Sequence, residues 1–172
     1  IGAALGARVI ATGRGADRLA LLHEIGVEAV IDLAQENLRD RLKELTGGRG
    51  ADVFVDPVGG EVFEASMRAI APGGRILVLG FTSGVPAAAR TNVMLVKMVS
   101  VIGVEARLAI EKTDGQGMED YRAMHRWIAQ TGLVPQVGRT CSFGEVPDAY
   151  ADILGRRHIG KTVAIMDPDL CR

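Results

Sequence analysis

The sequence predicts an α/β fold of the doubly wound, Rossmann type, with a parallel sheet covered by helices. Short β-type runs alternate with helical patterns at least five times along the chain, as parallel strands joined by crossover helices require. Two of the strands end at small residues: the run 53–56 leads into Pro57-Val58-Gly59-Gly60, and the run 76–79 leads into Gly80. Strands that end this way form the crevice in which doubly wound folds bind ligands. The sequence therefore places a ligand site at these strand ends.

The first part of the chain predicts two strands and two helices. Leu19, Leu22 and Ile25 have helical spacing before Gly26, and Asn37 is a suitable N-cap for the next helix, which ends at Gly47. The elements predicted here are the end of a helix over 1–7 capped by Gly6, a strand over 8–12, a helix over 17–25, a strand over 29–31 and a helix from residue 38.

The rest of the chain continues the alternation. Met118, Tyr121, Met124 and Ile128 form the apolar stripe of the longest predicted helix, and Gly115-Gln116-Gly117 before it reads as a loop. The predicted elements are a strand over 53–56, a helix over 62–70, a strand over 75–79, one or two helical turns over 92–98, a strand over 99–104, a helix over 118–131, an extended segment over 140–143, a helix over 145–154 and a strand over 161–165.

Composition excludes several classes of protein. The formal net charge of −1 and the absence of long Lys/Arg clusters argue against a nucleic-acid partner or an acidic membrane surface. No apolar run approaches the roughly 20 residues of a membrane span, and no secretory signal is visible. Cys141 and Cys171 stand far apart without a CxxC pair, which favours a reduced, cytoplasmic protein without a structural zinc site.

The first residues predict that the chain is a piece of a longer protein. Ile1 is not a methionine, and residues 1–7 have the pattern of the last turns of a helix. We expect one partial ligand-binding domain over residues 1–166, whose last strand can pack on another domain, and a tail over 167–172.

An ordered set of short motifs resembles a known family. The motifs are Ala7-Arg8-Val9-Ile10-Ala11-Thr12, Thr46-Gly47-Gly48-Arg49-Gly50-Ala51-Asp52, Asp56-Pro57-Val58-Gly59-Gly60, Ala71-Pro72-Gly73-Gly74-Arg75, Gly80-Phe81-Thr82-Ser83-Gly84 and Ile159-Gly160-Lys161-Thr162-Val163. In this order, over nearly the whole chain, they resemble the cofactor-binding part of the medium-chain dehydrogenase/reductase superfamily. The most similar branch is the zinc-independent quinone oxidoreductases, which use NADPH.

The resemblance implies what lies outside this sequence. In that family, Ile1 would be preceded by a barrel-like domain, a central first strand and a glycine-rich phosphate turn. Without the central strand, the two strands that flank it in the sheet would each have one edge with no partner strand. The complete enzyme would pass a hydride from NADPH to a quinone or an activated enone, with catalytic groups that this chain does not identify. We expect the chain alone to be inactive, and the complete enzyme to be a homodimer joined through the strand near 99–104.

The end of the first predicted strand favours NADPH over NADH. An acid at this position would bind the ribose hydroxyls and repel a 2′-phosphate, whereas this chain has Thr12-Gly13-Arg14, with Arg18 one helical turn further on. Guanidinium groups suit phosphate. The resemblance implies that Arg18 replaces a phosphate-binding lysine and that Arg156 closes over the phosphate. It also places Leu33 where many members have a tyrosine.

The ends of the strands over 53–56 and 76–79 are expected to hold the nicotinamide end of the cofactor. Val58 and Gly59 after one strand, and Gly80 and Phe81 after the next, would line the nicotinamide and its ribose. Glycine permits close approach of a ligand, and a small apolar surface orients the ring for hydride transfer.

Two other functions stay open on the residues alone. One is an S-adenosylmethionine-dependent methyltransferase, whose sheet also alternates, although such enzymes carry an acid where this chain has Thr12-Gly13-Arg14. The other is a non-catalytic dinucleotide-binding domain. The histidines are isolated and predict no metal site, and Asp56 is expected to cap the turn that follows it.

Overall fold

A computed structural model describes residues 1–111, 115–155, 157 and 159–166. The chain divides into two compact units, residues 1–121 and 122–172. The prediction of a single domain over 1–166 stays a prediction, and the predicted tail lies outside the described residues.

The first unit alternates strands and helices, as the sequence predicts. A single 3-10 turn over Ala3–Leu5 precedes them and ends at Gly6, which has the left-handed conformation of a helix C-cap. The elements that follow are β1 (Ile10–Gly13), α1 (Ala16–Glu24), β2 (Ala29–Asp32), α2 (Leu38–Leu45), β3 (Ala51–Asp56), α3 (Gly60–Ala69), β4 (Ile70–Val78), α4 (Thr91–Lys97), β5 (Ser100–Gly103), α5 (Ala106–Glu111) and the beginning of α6 (Gln116–Thr131).

All strand pairs of this unit are parallel, which confirms the predicted fold class. β1 pairs with β2, and β3, β4 and β5 form a second ladder in that order. Within the described residues, β1, β2, β3 and β5 each leave one edge without a partner strand. That a further central strand pairs with two of these edges stays a prediction. The parallel direction brings the carboxyl ends of β3, β4 and β5 to one side of their ladder.

Two apolar clusters hold the unit together. In the first, Phe63 and Met67 of α3 pack against Ile70 and Ile76 of β4, all of them at most 1% exposed. In the second, Ile31 of β2 contacts the apolar face of α2, and partly buried residues from β1 and β3 pack against the same cluster. Helix α2 thus connects the two ladders through burial of apolar surface.

Polar side chains form hydrogen bonds with main-chain groups at the ends of two helices. The side chain of Asn37 accepts hydrogen bonds from the N–H groups of Arg39 and Asp40, as the N-cap prediction requires. At the carboxyl end of α3, the Lys97 ammonium donates to the carbonyl oxygens of Arg68 and Ile70, each at 2.9 Å. Burial, with a smaller contribution from Lys43 and Arg39, lowers the pKa of Lys97. A cation at this position also matches the negative end of the helix dipole.

The Pro72-Gly73-Gly74 motif lies inside a strand, and the prediction that it precedes the strand is wrong. β4 begins at Ile70, and its register with β3 jumps between the pairs Ala51↔Ile70 and Val53↔Arg75. The residues between form an irregularity in which Gly73 has φ +75°, a conformation that favours glycine. The strand therefore starts earlier, because its first bridge forms before the proline interrupts the ladder.

The sequence analysis did not predict helix α5, and the bounds of α6, α3 and β1 differ from the predicted ones. Helix α6 begins at Gln116 and includes the buried Gly117, so the loop predicted over 115–117 is partly helical. Helix α3 begins directly after Gly59, and β1 begins at Ile10. α5 is only a six-residue helix, and the residue whose side chain caps its first turn, Glu105, is not one of the usual N-cap types, so its sequence does not separate it from a loop.

The second unit contains the rest of α6, β6 (Val137–Ser142), a 3-10 turn over Phe143–Glu145, α7 (Val146–Leu154) and β7 (Lys161–Ile165). β6 and β7 are parallel, and β6 is longer than the predicted extended segment over 140–143. Asp152 of α7 forms ion pairs with Arg139 of β6 and with Arg157. The hydrogen bond from Arg157 is the largest cause of a lowered pKa for Asp152.

No helix within the described residues is long and apolar enough to cross a membrane.

Candidate functional site

Asp56 shapes the turn at the carboxyl end of β3. Its side chain is only 2% exposed, and its Oδ1 accepts hydrogen bonds from the N–H groups of Val58 at 2.8 Å and Gly59 at 3.0 Å. This is the turn-capping role that the sequence predicts for it. The other oxygen, Oδ2, is buried without a hydrogen-bond partner among the described residues.

The turn after β3 and the loop after β4 are hydrogen-bonded to each other. The carbonyl oxygen of Val58 accepts bonds from the N–H of Ser83 at 3.1 Å and from its hydroxyl at 2.7 Å. The carbonyl oxygen of Pro57 accepts from the N–H of Thr82 at 3.0 Å. The same Ser83 hydroxyl accepts from the N–H of Val85. The two strand ends therefore form one connected surface whose main-chain shape is held at several points.

At Gly59 the two loops leave no room for a side chain. It has φ +73° and ψ −161°, a combination that is almost restricted to glycine. A Cβ atom there would lie 2.6 Å from the carbonyl oxygen of Val85 and 2.9 Å from Cδ1 of Phe81. The absence of a side chain at Gly59 is thus a requirement of the fold.

The structure brings together the four residues predicted to line the nicotinamide. Val58 is half-buried and Gly59 is buried, while Phe81 leaves 47% of its surface exposed beside Gly59. A Cβ on Gly80 would lie 3.6 Å from the carbonyl oxygen of Pro57, so Gly80 is in ordinary contact with the neighbouring turn. What the four residues bind stays a prediction, but they share one small, largely apolar surface.

The predicted phosphate-binding residues lie at the end of β1. Thr12 and Arg14 are exposed, and Gly13 and Arg18 are partly buried. The Arg14 guanidinium has no hydrogen-bond or ion-pair partner within the described part of the chain. Arg18, on α1, does have a partner. Leu33 donates its N–H to the carbonyl oxygen of Gly13 at 2.9 Å.

Two acidic residues that the sequence analysis did not consider lie beside this strand end. Asp32 pairs with Gly13 in the register of β1 and β2, and its Oδ1 accepts from the N–H of Ala34. Glu36 accepts from the N–H of Asp32 and forms an ion pair with Arg41. Local hydrogen bonds and one arginine thus partly offset the negative charge of these two carboxylates. An aspartate whose side chain can bind the N–H two residues on, as in Asp32-Leu33-Ala34, is the sequence signal that could have identified Asp32.

Arg156 lies outside the described residues, so the structure does not report on its predicted role. Ser83, which the sequence analysis counted only within a motif, is the residue that joins the two strand-end loops. Its position before Gly84 is typical of a turn-forming serine.

The fold and strand ends define this chain as part of a dinucleotide-binding α/β protein, and the comparison with protein families agrees. The family model described as zinc-binding dehydrogenase matches residues 1–130. The chain therefore belongs to this family, and with it to the medium-chain dehydrogenase/reductase superfamily that the motifs resemble. This membership favours the oxidoreductase over the methyltransferase interpretation. Across the described residues, no group of three or more His, Cys, Asp or Glu side chains could hold a metal ion.

Curated relatives include quinone oxidoreductase-like proteins. The chain is 36% identical over 160 residues to quinone oxidoreductase-like protein 2 homolog of Nematostella vectensis, covering 92% of this chain and 43% of that protein. It is 31% identical over 158 residues to quinone oxidoreductase-like protein 2 of Rattus norvegicus, covering 91% of this chain and 45% of that protein. The chain thus spans less than half the length of these relatives.

Solved structures of similar fold point to the same superfamily. A mycobacterial quinone oxidoreductase is 25% identical with a TM-score of 0.78, covering 96% of this chain and 51% of that chain. A mycobacterial protein solved in complex with NADPH is 23% identical with a TM-score of 0.80, covering 96% of this chain and 52% of the other. At that identity the second similarity shows the fold alone.

Proposed function

We propose that this chain is the cofactor-binding part of an NADPH-dependent oxidoreductase whose acceptor is a quinone or an activated enone. The observation that carries the proposal is the guanidinium of Arg14, exposed at the carboxyl end of β1 and unpaired within the described residues. A free guanidinium beside a glycine is suited to a phosphate group on the adenosine ribose.

The surface at the ends of β3 and β4 supports binding of the nicotinamide end. When bound, NADPH supplies the hydride. The contribution of this chain is to hold and orient the ring against Val58, Gly59, Gly80 and Phe81. The N–H groups of Val58 and Gly59 are occupied by Asp56, so orientation here comes from shape and apolar contact. Ordering the cofactor in advance lowers the entropic cost of reaction.

An exposed apolar sheet face supports the proposal that the complete protein has more chain packed here. Val55, Leu77 and Ile102 lie in one row across β3, β4 and β5, and Val55 and Ile102 are 60% and 41% exposed. Parallel sheets are normally covered on both faces. We therefore assign proton donation and most substrate contacts to the part of the enzyme that covers this face.

The cofactor prediction is tested by titrating the complete protein with NADPH and with NADH. Wild type is expected to bind NADPH more tightly. Arg14→Ala is expected to weaken NADPH binding by about tenfold or more and to leave NADH binding unchanged, because one charge-assisted contact to phosphate is lost. Fluorescence titration measures both dissociation constants.

Arg8→Ala is the matched control for this experiment. Arg8 precedes the same strand at its other end and is paired with Glu28 on the surface, so its removal is expected to change neither affinity. Equal affinity of wild type for the two cofactors, or an Arg14→Ala variant that binds NADPH as wild type does, would show that the phosphate assignment is wrong.

Activity separates the proposed enzyme from a non-catalytic binding domain. The complete protein is expected to oxidise NADPH when a quinone or an enone is added, as followed by NADPH absorbance. Tight NADPH binding without turnover on either acceptor would favour the non-catalytic alternative.

We also propose that two copies associate through β5. Its outer edge has no partner strand within the described part of the chain, and an open edge accepts a further strand readily. Light scattering of the complete protein is expected to give twice the mass of one chain. A monomer mass at all concentrations would contradict this proposal.

A further inference from the structure

Ser83 connects the loop after β4 to the turn after β3 through a single hydroxyl oxygen. Its Oγ lies 2.7 Å from the carbonyl oxygen of Val58 and 3.3 Å from that of Val85. Because a hydroxyl carries one proton, it donates to the nearer oxygen, that of Val58. As an acceptor, the same Oγ binds the N–H of Val85 at 3.2 Å. One oxygen atom thus fixes Val58 and Val85 relative to each other.

The main chain of Val58 is held on both sides. Its N–H donates to Asp56 Oδ1 at 2.8 Å, and its carbonyl oxygen accepts from the Ser83 hydroxyl and, at 3.1 Å, from the Ser83 N–H. Asp56 is only 2% exposed at the end of β3, so its bond to Val58 is supported by the sheet. Ser83 lies in an exposed loop. The position of Val58 therefore depends on how firmly this loop is attached.

The hydroxyl of Ser83 also fixes the part of the loop that covers Gly59 and Gly60. The carbonyl oxygen of Val85 lies 2.6 Å from the place that a Cβ of Gly59 would occupy, and the Cβ of Val85 lies 3.4 Å from the corresponding place at Gly60. Without the hydroxyl, the N–H of Val85 loses its hydrogen-bond acceptor. Among the described residues, the turn after β3 would then keep only main-chain hydrogen bonds to this loop.

We propose that Ser83 is a positioning residue for hydride transfer. Its hydroxyl holds Val58 and the loop over Gly59 in the arrangement that keeps the nicotinamide ring at the distance and angle that the reaction needs. The inference rests on the function proposed above, because it takes the surface of Val58 and Phe81 as the one that holds the nicotinamide. Ser83 exchanges no proton or electron: the hydride passes with its electron pair from the cofactor to the acceptor, which takes up a proton from the rest of the enzyme.

Ser83→Ala and Ser83→Thr in the complete protein test the proposal, with a quinone as acceptor. In Ser83→Ala, the single-turnover rate of NADPH oxidation, expressed per bound NADPH, is expected to fall about tenfold to 100-fold, because a reacting group displaced by about 1 Å reacts that much more slowly. The dissociation constant of NADPH is expected to change less than about twofold, since the contacts to its phosphate are untouched. Ser83→Thr keeps the hydroxyl and is expected to restore the wild-type rate.

The fluorescence lifetime of bound NADPH provides a measurement that does not depend on turnover. This lifetime shortens when the nicotinamide ring moves more freely. It is expected to shorten in Ser83→Ala and to return to the wild-type value in Ser83→Thr.

Ser66→Ala is the matched control. The Ser66 hydroxyl also donates to a carbonyl oxygen, that of Val62, at 2.8 Å, but both residues belong to α3 and not to the strand-end loops. Its removal is expected to leave the rate and the fluorescence lifetime unchanged. Urea unfolding of both alanine variants measures their cost in stability.

The results distinguish this inference from the proposed function. A wild type that binds NADPH and oxidises none with any quinone or enone contradicts the proposed function, and this inference with it. With an active wild type, the role of Ser83 alone is overturned by a Ser83→Ala variant that keeps the wild-type rate or lifetime, or that loses as much NADPH affinity as rate. A slow variant that Ser83→Thr does not restore, or an equal loss of rate in Ser66→Ala, also overturns it.

Discussion

Replacing Gly59 by alanine is expected to lower the free energy of unfolding by about 2–4 kcal/mol and to weaken cofactor binding. The backbone of Gly59 has φ +73° and ψ −161°, a region that costs a residue with a Cβ about 1–3 kcal/mol. The added atom would also lie 2.6 Å from the Val85 carbonyl oxygen and 2.9 Å from Phe81, so the two strand-end loops must separate. Urea unfolding and NADPH titration measure the two effects.

Gly84→Ala is the matched control, because it measures only the cost of placing a residue with a Cβ at a positive φ. Gly84 lies in the same pair of loops and has φ +80°, but a Cβ there would meet no atom within 4 Å. We expect a loss of about 1 kcal/mol from the left-handed conformation alone. A Gly59→Ala variant as stable as Gly84→Ala would mean that the close approach between the loops is not a constraint.

Phe63→Ala is expected to destabilise the protein by about 3–5 kcal/mol, the usual cost of removing a fully buried phenylalanine. Phe63 is 0% exposed and packs at the centre of the cluster formed by Met67, Ile70, Ile76 and Val99. This cluster joins α3 to β4 and therefore supports the strand end that carries the predicted nicotinamide surface. The midpoint and slope of urea unfolding give the change in free energy.

The comparison variant is Phe81→Ala. Phe81 is 47% exposed, so its removal is expected to cost less than about 1 kcal/mol of stability. If it lines the nicotinamide, the same change raises the KM for NADPH in the complete enzyme. A loss of stability at Phe81 as large as that at Phe63 would show that the loop after β4 is part of the folding core.

Much of the fold was predictable because local patterns and tertiary packing agree. Leu38 and Leu42 have helical spacing, and both are buried on the face of α2 that the spacing predicts. Asn37 caps this helix as its side-chain chemistry predicts. Asp56 caps the turn after β3 for the same local reason. In each case the partner atoms lie within a few residues, so a linear sequence contains both halves of the interaction.

Several errors in the prediction occur where the partner is far away in sequence. The predicted strand starts at residue 75, after Pro72-Gly73-Gly74, but β4 begins before this motif because Ile70 pairs with Ala51 on another strand. Ser83 was likewise not recognised as the residue that binds Val58, since the bond joins loops that follow different strands.

The sequence by itself determined the alternation of strands and helices, the small residues at the strand ends and the unusual Arg14 beside Gly13, because these follow from periodicity and residue chemistry alone. Only the tertiary structure decided which strand edges stay open and how the loops after β3 and β4 join. Those features depend on contacts between distant segments. Such contacts arise from burial of apolar surface and from pairing of main-chain groups, which act in three dimensions and leave no fixed spacing along the chain.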